Sequence, residues 1–429
     1  MIKTSVIREN LKSGAWNEQF AYLYACDEKD TGVYADRFLS VIDGLENIFG
    51  AADEAALFSA PGRTEIGGNH TDHQHGCVLA GSVNLDVIAA VKLNGTNQVR
   101  VHSEGYGMCV IDLDNLELDK AQYGQTIALV RGVLKKFADK GYKMSGFDVY
   151  TVSNVLKGSG LSSSAAFEVL IGTIANSLFA NNEIDRVEIA QIGQYAENVY
   201  FGKPSGLLDQ MAASVGSVVA VDFGDNSNPK VRKVDFNLAK YKHALCIVDS
   251  GADHADLTDE YAAITVDMKA VAEFFGKEYM CEVSKDEFFA NIKALREKLH
   301  NDRAVLRAFH FLRDNEFAQE EAEALETGDF ERFLTLNKES GRSSYMYLQN
   351  VYAASMPKAQ AVSVALAMCD KLLGSRGSYR VHGGGFAGTV QAFVPVDMLD
   401  DFKAGIEAVF GEGMCYVLSI RPVGGYELK

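Results

Sequence analysis

The chain has 429 residues, 47% hydrophobic and 23% charged with only 6 Pro, which excludes a disordered protein and gives enough length for two or three packed units around a cleft. Lys+Arg 41 against Asp+Glu 58 leaves a net charge of −17, which argues against nucleic acid or an anionic membrane as partner and favours a small molecule. The 7 cysteines include no C-x-x-C pair and read as reduced, mostly buried thiols; no apolar run has the length of a signal segment or a membrane span, so a cytoplasmic protein is expected.

Residues 1 to about 50 space their apolar side chains helically (Phe20, Leu23, Tyr24, then Phe38, Val41, Ile42, Leu45), predicting a structural lead-in. From residue 56 to 105 the pattern shifts to β-rich runs, VLAGSVNLDVIAAVKL and QVRVHS, broken at Asn94-Gly95. Ahead of them lies PGRTEIGGNHTDHQHG, residues 61–76, the densest polar stretch in the chain. Side chains of several hydrogen-bonding types, with glycines freeing the backbone, suit a polyhydroxylated ligand whose every OH needs a partner. A metal site from His70, His73 and His75 competes poorly, because their spacing does not put all three on one face.

A helix is predicted over 122–140 and a strand over 147–152. Between that strand and the next helix stands KGSGLSSSAA, residues 157–166. Small residues let the backbone approach a ligand, and a starting helix offers unpaired N–H groups to phosphate oxygens. It is not a Walker A loop, and a serine-rich helix cap is the bland alternative. Lys157 reads equally as a phosphate contact or a solvated lysine. Helices follow over 163–180 and 185–200. GKPSGLLDQ, residues 202–210, then places Asp209 in a glycine-flanked turn before a strand over 215–223. There it could accept a proton from an attacking hydroxyl or act as an ordinary turn aspartate.

A strand over 244–249 leads into a largely helical stretch, 255–375, with strands returning at 379–381, 388–394 and 416–422. HGGGFAG, residues 382–388, is similar to an esterase oxyanion loop. The partner motif G-x-S-x-G is missing, however, and its degenerate match at 212–216 comes before the loop, so a backbone-lined ligand contact is the better reading. The class is mixed α+β, without regular βαβ repetition.

Together, PGRTEIGGNHTDHQHG, GSGLSSSAA, GKPSGLLDQ and HGGGFAGT occur in the order and spacing of the GHMP small-molecule kinases, and the first resembles the galactokinase signature. The resemblance covers most of residues 47–429. It leaves the helical extension over 1–46 outside, and implies an N-terminal domain over 47–225 like ribosomal protein S5 domain 2 and a ferredoxin-like C-terminal domain over 226–429, with the site between them. It implies ATP and Mg²⁺ as cofactors and transfer of a phosphoryl group to the anomeric hydroxyl of galactose; a monomer is expected, and the charge and hydropathy leave nucleic acid and membrane out as partners. By motif, Asp209 resembles the catalytic aspartate and Arg63 the arginine that keeps it ionised. Asn69, His70, Asp72, Gly206 and Tyr261 match sugar contacts. Gly158, Ser159, Gly160, Leu161, Ser162, Ser163 and Ser164 match the ATP-phosphate loop, Ser164 and Glu197 the Mg²⁺ pair, and Gly383, Gly384 and Gly385 the cleft glycines.

The chain departs from the family at four places. The usual arginine-valine-asparagine-leucine is Arg63-Thr64-Glu65-Ile66, and the glutamate before the histidine, a sugar contact far from the reacting hydroxyl, is Asn69. Asp253 stands for an arginine and Leu156 for a proline. Exchanging a carboxylate for an amide at 69 removes a charge and adds donors, which could admit a related sugar such as galacturonate, N-acetylgalactosamine or arabinose. A non-catalytic sugar sensor is the alternative outside enzymology.

Overall fold

The apolar spacing of the lead-in closes into α1 (Thr4–Ser13), α2 (Asn17–Tyr24) and α3 (Gly32–Phe49), behind a two-residue strand β1 (Ile2–Lys3). In the computed structural model, which describes residues 1–155, 160–225, 228–252, 257–386 and 388–429, these helices are part of the core. Phe20, Phe38 and Leu45 are buried against Leu57, Ile88 and Ala90 of the sheet behind them, each such side chain contributing ~1.5–3 kcal/mol by leaving water. Asp86, also buried, fixes the junction by accepting from the Tyr24 hydroxyl at 2.6 Å and from Arg37 at 2.8 Å, with Arg421 3.4 Å away.

The first half continues through β2 (Glu54–Gly67), β3 (Cys77–Leu93), β4 (Gln98–Ser103), β5 (Met108–Asp112), α4 (Thr126–Asp139), β6 (Phe147–Ser153), α5 (Ser163–Phe179), α6 (Arg186–Tyr195), α7 (Leu208–Val215), β7 (Val218–Asp222) and β8 (Lys230–Val234). The second comprises β9 (His243–Asp249), α8 (Thr258–Phe274), α9 (Lys285–Ala290), α10 (Ile292–Leu299), α11 (Asp302–Thr327), α12 (Phe330–Ser343), α13 (Ala361–Leu373), β10 (Ser378–Val381), β11 (Thr389–Pro395), α14 (Leu399–Phe410), β12 (Cys415–Leu418) and β13 (Tyr426–Leu428).

Among the described residues the strands form two sheets. The larger runs β1-β2-β3-β6-β4-β5, with β13 beside β2, β7 beside β3 and β8 beside β7; both chain ends therefore lie on it. Its pairings are antiparallel except β4 with β6. The smaller sheet, β10-β11-β9-β12, is antiparallel and backed by α13 and α14, the β-α-β-β-α-β order of a ferredoxin-like unit. This is the expected two-domain α+β architecture. The C-terminal end of β2 lies at the seam between the sheets: Gln391 of β11 donates to the Thr64 hydroxyl and the Glu65 carbonyl at 2.6 and 2.8 Å, and Arg380 of β10 to the Ile66 carbonyl at 2.6 Å.

Two expectations are corrected. Asp209 does not sit in a turn before a strand: it occupies the first turn of α7, and the strand begins at Val218. Leu208, Met211 and Ala212 recur at helical spacing and are buried, and Gly216, at φ 86°, ends the helix. An apolar run this short reads as strand or helix until its neighbours decide. Of the seven free cysteines only Cys246, Cys369 and Cys415 are buried; Cys281 is exposed and the others are intermediate. No helix among the described residues is long and apolar enough to cross a membrane.

Candidate functional site

The β2 strand slips register between Pro61 and Arg63 and again between Glu65 and Gly67. Bulges of this kind re-aim side chains at the end of a strand. Arg63, 8% exposed, donates from Nε to Asp209 Oδ1 at 2.6 Å and from a terminal nitrogen to the Gly160 carbonyl, while its backbone N–H donates to the Leu161 carbonyl at 3.0 Å. Burial alone would raise the Asp209 carboxyl; the Arg63 guanidinium, the Ser162 hydroxyl and Lys203 outweigh it and hold the group below its ordinary value. Asp209 is therefore an ionised, positioned carboxylate, the form a base requires.

Of the residues expected to form a phosphate loop, Gly158 and Ser159 lie outside the described residues, as do Leu156, Lys157 and Asp253. Gly160 (φ 72°) and Ser162 (φ 55°) turn the chain into α5. Leu161 buries its side chain and offers only backbone, and the Ser162 hydroxyl is on Asp209. Ser163 and Ser164 open the helix, whose first N–H groups face the loop. Ser164 Oγ donates to Glu197 Oε1 at 3.3 Å. Glu197 is buried on a π turn, Ala196–Phe201, and Lys203 donates to the same oxygen at 3.0 Å. Its other oxygen accepts from Ser205 Oγ at 2.6 Å and from Gln210 Nε2 at 2.8 Å; Gln210 Nε2 also reaches the buried Glu168 at 2.9 Å. A hydroxyl and a carboxylate oxygen this close fit a hard divalent cation that takes its remaining ligands from phosphate and water.

Beside Ser163 and Ser164 opens a cavity of ≈ 480 Å³ lined by Tyr106, Thr126, Leu129, Val155, Phe167 and Phe201 among others. No motif announces it, because its walls come from separate elements.

On the other side, Gly68 (φ 80°) and His70 (φ 59°) adopt left-handed backbone. α11 clamps the residue between them: the Asn69 N–H donates to Asp314 Oδ2 at 2.6 Å, and His310 Nε2 lies 2.9 Å from the Asn69 carbonyl. The fully buried Asn69 side chain donates to Glu65 Oε1 and the Gly383 carbonyl, both at 2.7 Å, and accepts from Asn350 at 2.8 Å and Ser344 at 3.3 Å. Its two donors and two acceptor sites are thus all engaged within the protein. Glu65, pushed up to about 7 by burial against the opposing pull of Arg380, completes this knot.

His70 is held down to about 4, chiefly by burial, so the neutral ring donates from Nε2 to the Gly384 carbonyl at 2.9 Å; its Nδ1 lies 3.3 Å from His73 Nε2. Burial raises the Asp72 carboxyl to about 6, with Asp209 adding to the rise. A Cβ on Gly206 would fall 2.0 Å from Asp72 Oδ2, so any larger residue there would displace the carboxylate. The Tyr261 hydroxyl donates to the Gly385 carbonyl at 2.9 Å, and a Cβ on Gly384 would meet the Tyr261 ring at 2.5 Å. His75 stacks on Tyr279 at 3.7 Å, away from the other two histidines. The fold thus brings together residues 63, 69, 70, 72, 206, 209 and 261 with the glycine loop, and adds Glu65, His310, Asp314, Asn350 and Arg380, which the sequence did not single out.

The GHMP kinases N terminal domain matches residues 128–217, and the Galactokinase galactose-binding signature matches residues 45–93. A galactokinase of Ligilactobacillus salivarius is 29% identical over 87% of this chain and 94% of its own length. One from Clostridium tetani is 27% identical over 83% and 88%. The solved structure of Lactococcus lactis galactokinase complexed with galactose superimposes with a TM-score of 0.77 at 24% identity, covering 91% of this chain and 100% of that one.

Proposed function

We infer that this chain, a GHMP kinase carrying the galactokinase signature, transfers the γ-phosphoryl group of ATP to the anomeric hydroxyl of galactose, giving galactose 1-phosphate and ADP. The observation that carries the reading is the Arg63–Asp209 contact at 2.6 Å, set where the phosphate loop meets the polar end of β2. Asp209 accepts the proton of the attacking hydroxyl, and that oxygen forms the new bond to phosphorus as the bond to the ADP oxygen breaks. Arg63 keeps Asp209 ionised and faces the charge that develops on the transferred group. Asp72, His70, the Gly206 backbone and Tyr261 orient the sugar, with Gly383, Gly384 and Gly385 behind them. The α5 N-terminus receives the phosphates and the ≈ 480 Å³ cavity receives the base. Mg²⁺ bound with ATP would neutralise phosphate charge, and Ser164 and Glu197 would hold it. In this reading the chain works as a cytoplasmic monomer on small molecules, without nucleic acid or membrane.

A related sugar is the second reading, favoured by Asn69: its side chain is saturated inside the protein, so position 69 supplies no carboxylate to the sugar. ADP release with ATP, Mg²⁺ and separately galactose, N-acetylgalactosamine, galacturonate, glucose and arabinose distinguishes the two. Turnover with galactose supports the first reading. Turnover with another sugar alone supports the second, and silence across the panel supports a sensor.

A further inference from the structure

A cation is already seated at the candidate metal pair. Lys203 Nζ donates at 3.0 Å to Glu197 Oε1, the oxygen that Ser164 Oγ approaches at 3.3 Å. The two ends of this ion pair differ sharply: the Lys203 side chain is 60% exposed and that of Glu197 is 3% exposed. Glu197 accepts from Ser164, Lys203, Ser205 and Gln210. Of these donors only Lys203 stands on a long stem open to solvent, free to leave without disturbing the backbone. A buried carboxylate stripped of its cation is costly, more so here because Gln210 links it to a second buried carboxyl, Glu168. A cation beside Glu197 offsets that cost whenever no metal does.

We propose that Lys203 is the resident counter-ion of Glu197, holding the place of the divalent cation between Ser164 and Glu197 and swinging out to solvent when the metal arrives. The proposal rests on the reading of Ser164 and Glu197 as the metal pair. Lysine and metal then compete for one carboxylate oxygen. The free cation binds weakly, and productive loading favours the cation that arrives with the nucleotide, whose phosphates supply further ligands and charge.

The test is titration of the full chain with Mn²⁺ alone, without nucleotide, followed by loss of the free-Mn²⁺ electron paramagnetic resonance signal. Lys203→Met should tighten Mn²⁺ binding roughly tenfold or more, the scale of one charge-assisted hydrogen bond. Lys203→Arg, which retains the cation, should bind as the parent does. Glu197→Gln should lose the site in either background. If Lys203→Met shows no gain while Glu197→Gln still loses the site, the counter-ion role is overturned and the metal pair stands. If Glu197→Gln binds Mn²⁺ like the parent, the assignment of the metal pair itself is overturned.

Discussion

Arg63 and Asp209, 146 positions apart in sequence, meet at 2.6 Å between Nε and Oδ1, and the same guanidinium donates to the Gly160 carbonyl. One side chain thus sets the charge of the proposed base and the position of the proposed phosphate loop. Arg63→Lys keeps the charge but loses the fork that makes both contacts. The expected result is a kcat lower by about 10²–10³ with little change in melting temperature. Steady-state kinetics beside a thermal melt check it, and a rise in KM with kcat unchanged would count against the role.

Asn69 is predicted to act on stability more than on sugar choice. Asn69→Ala would leave Glu65, the Gly383 carbonyl, Asn350 and Ser344 short of a partner. The cost should be at least ~1–3 kcal/mol, read from denaturant unfolding. The ratio of kcat/KM values between galactose and N-acetylgalactosamine should stay within a few fold. A large change in that ratio would restore position 69 to the sugar pocket.

The acid side of the pH profile should belong to Asp72. Its carboxyl is raised by burial from 3.8 to about 6, so between those values the folded chain holds a proton that the unfolded chain releases. The stability tied to that proton is present at low pH and is lost as pH rises toward 6. A sugar hydroxyl donating to Asp72 needs the ionised form, so sugar affinity should rise between pH 5 and 7 and flatten in Asp72→Asn. Asp209, held below its ordinary value by Arg63 against burial, contributes stability that is lost only in stronger acid and should not shape this range. Calorimetric sugar titrations at several pH values check both statements.

Asp86→Ala should loosen the lead-in helices, because it strands Arg421, Arg37 and the Tyr24 hydroxyl around an empty acceptor. Removing one partner of such a buried ionic cluster costs about 3–5 kcal/mol. The melting temperature should fall by several degrees with kcat/KM of the folded fraction unchanged. A stable variant with impaired turnover would reverse that assignment.

What the sequence disclosed and what it hid divide along physical lines. The polar run at the end of β2, the Gly-Ser loop and the apolar faces of α1, α2 and α3 are local patterns, and local patterns are legible because period and composition carry them. The helix holding Asp209 is not legible in the sequence because Leu208, Met211 and Ala212 form a run too short to reveal its period. The clamp on Asn69 was invisible: His310 and Asp314 sit 241 and 245 positions away, and nothing near them marks them as partners of β2. The cavity beside Ser164 was hidden for the same reason, its walls being gathered by the fold.

The most direct test of the account follows ³¹P NMR spectra of the chain and its Asp209→Asn variant with MgATP and galactose. The account predicts a sugar 1-phosphate resonance growing with ADP in the parent. It predicts neither in the variant, while galactose still binds the variant by calorimetry. A variant that forms the product at the parent's rate, or a parent that binds galactose and releases no ADP, would contradict it.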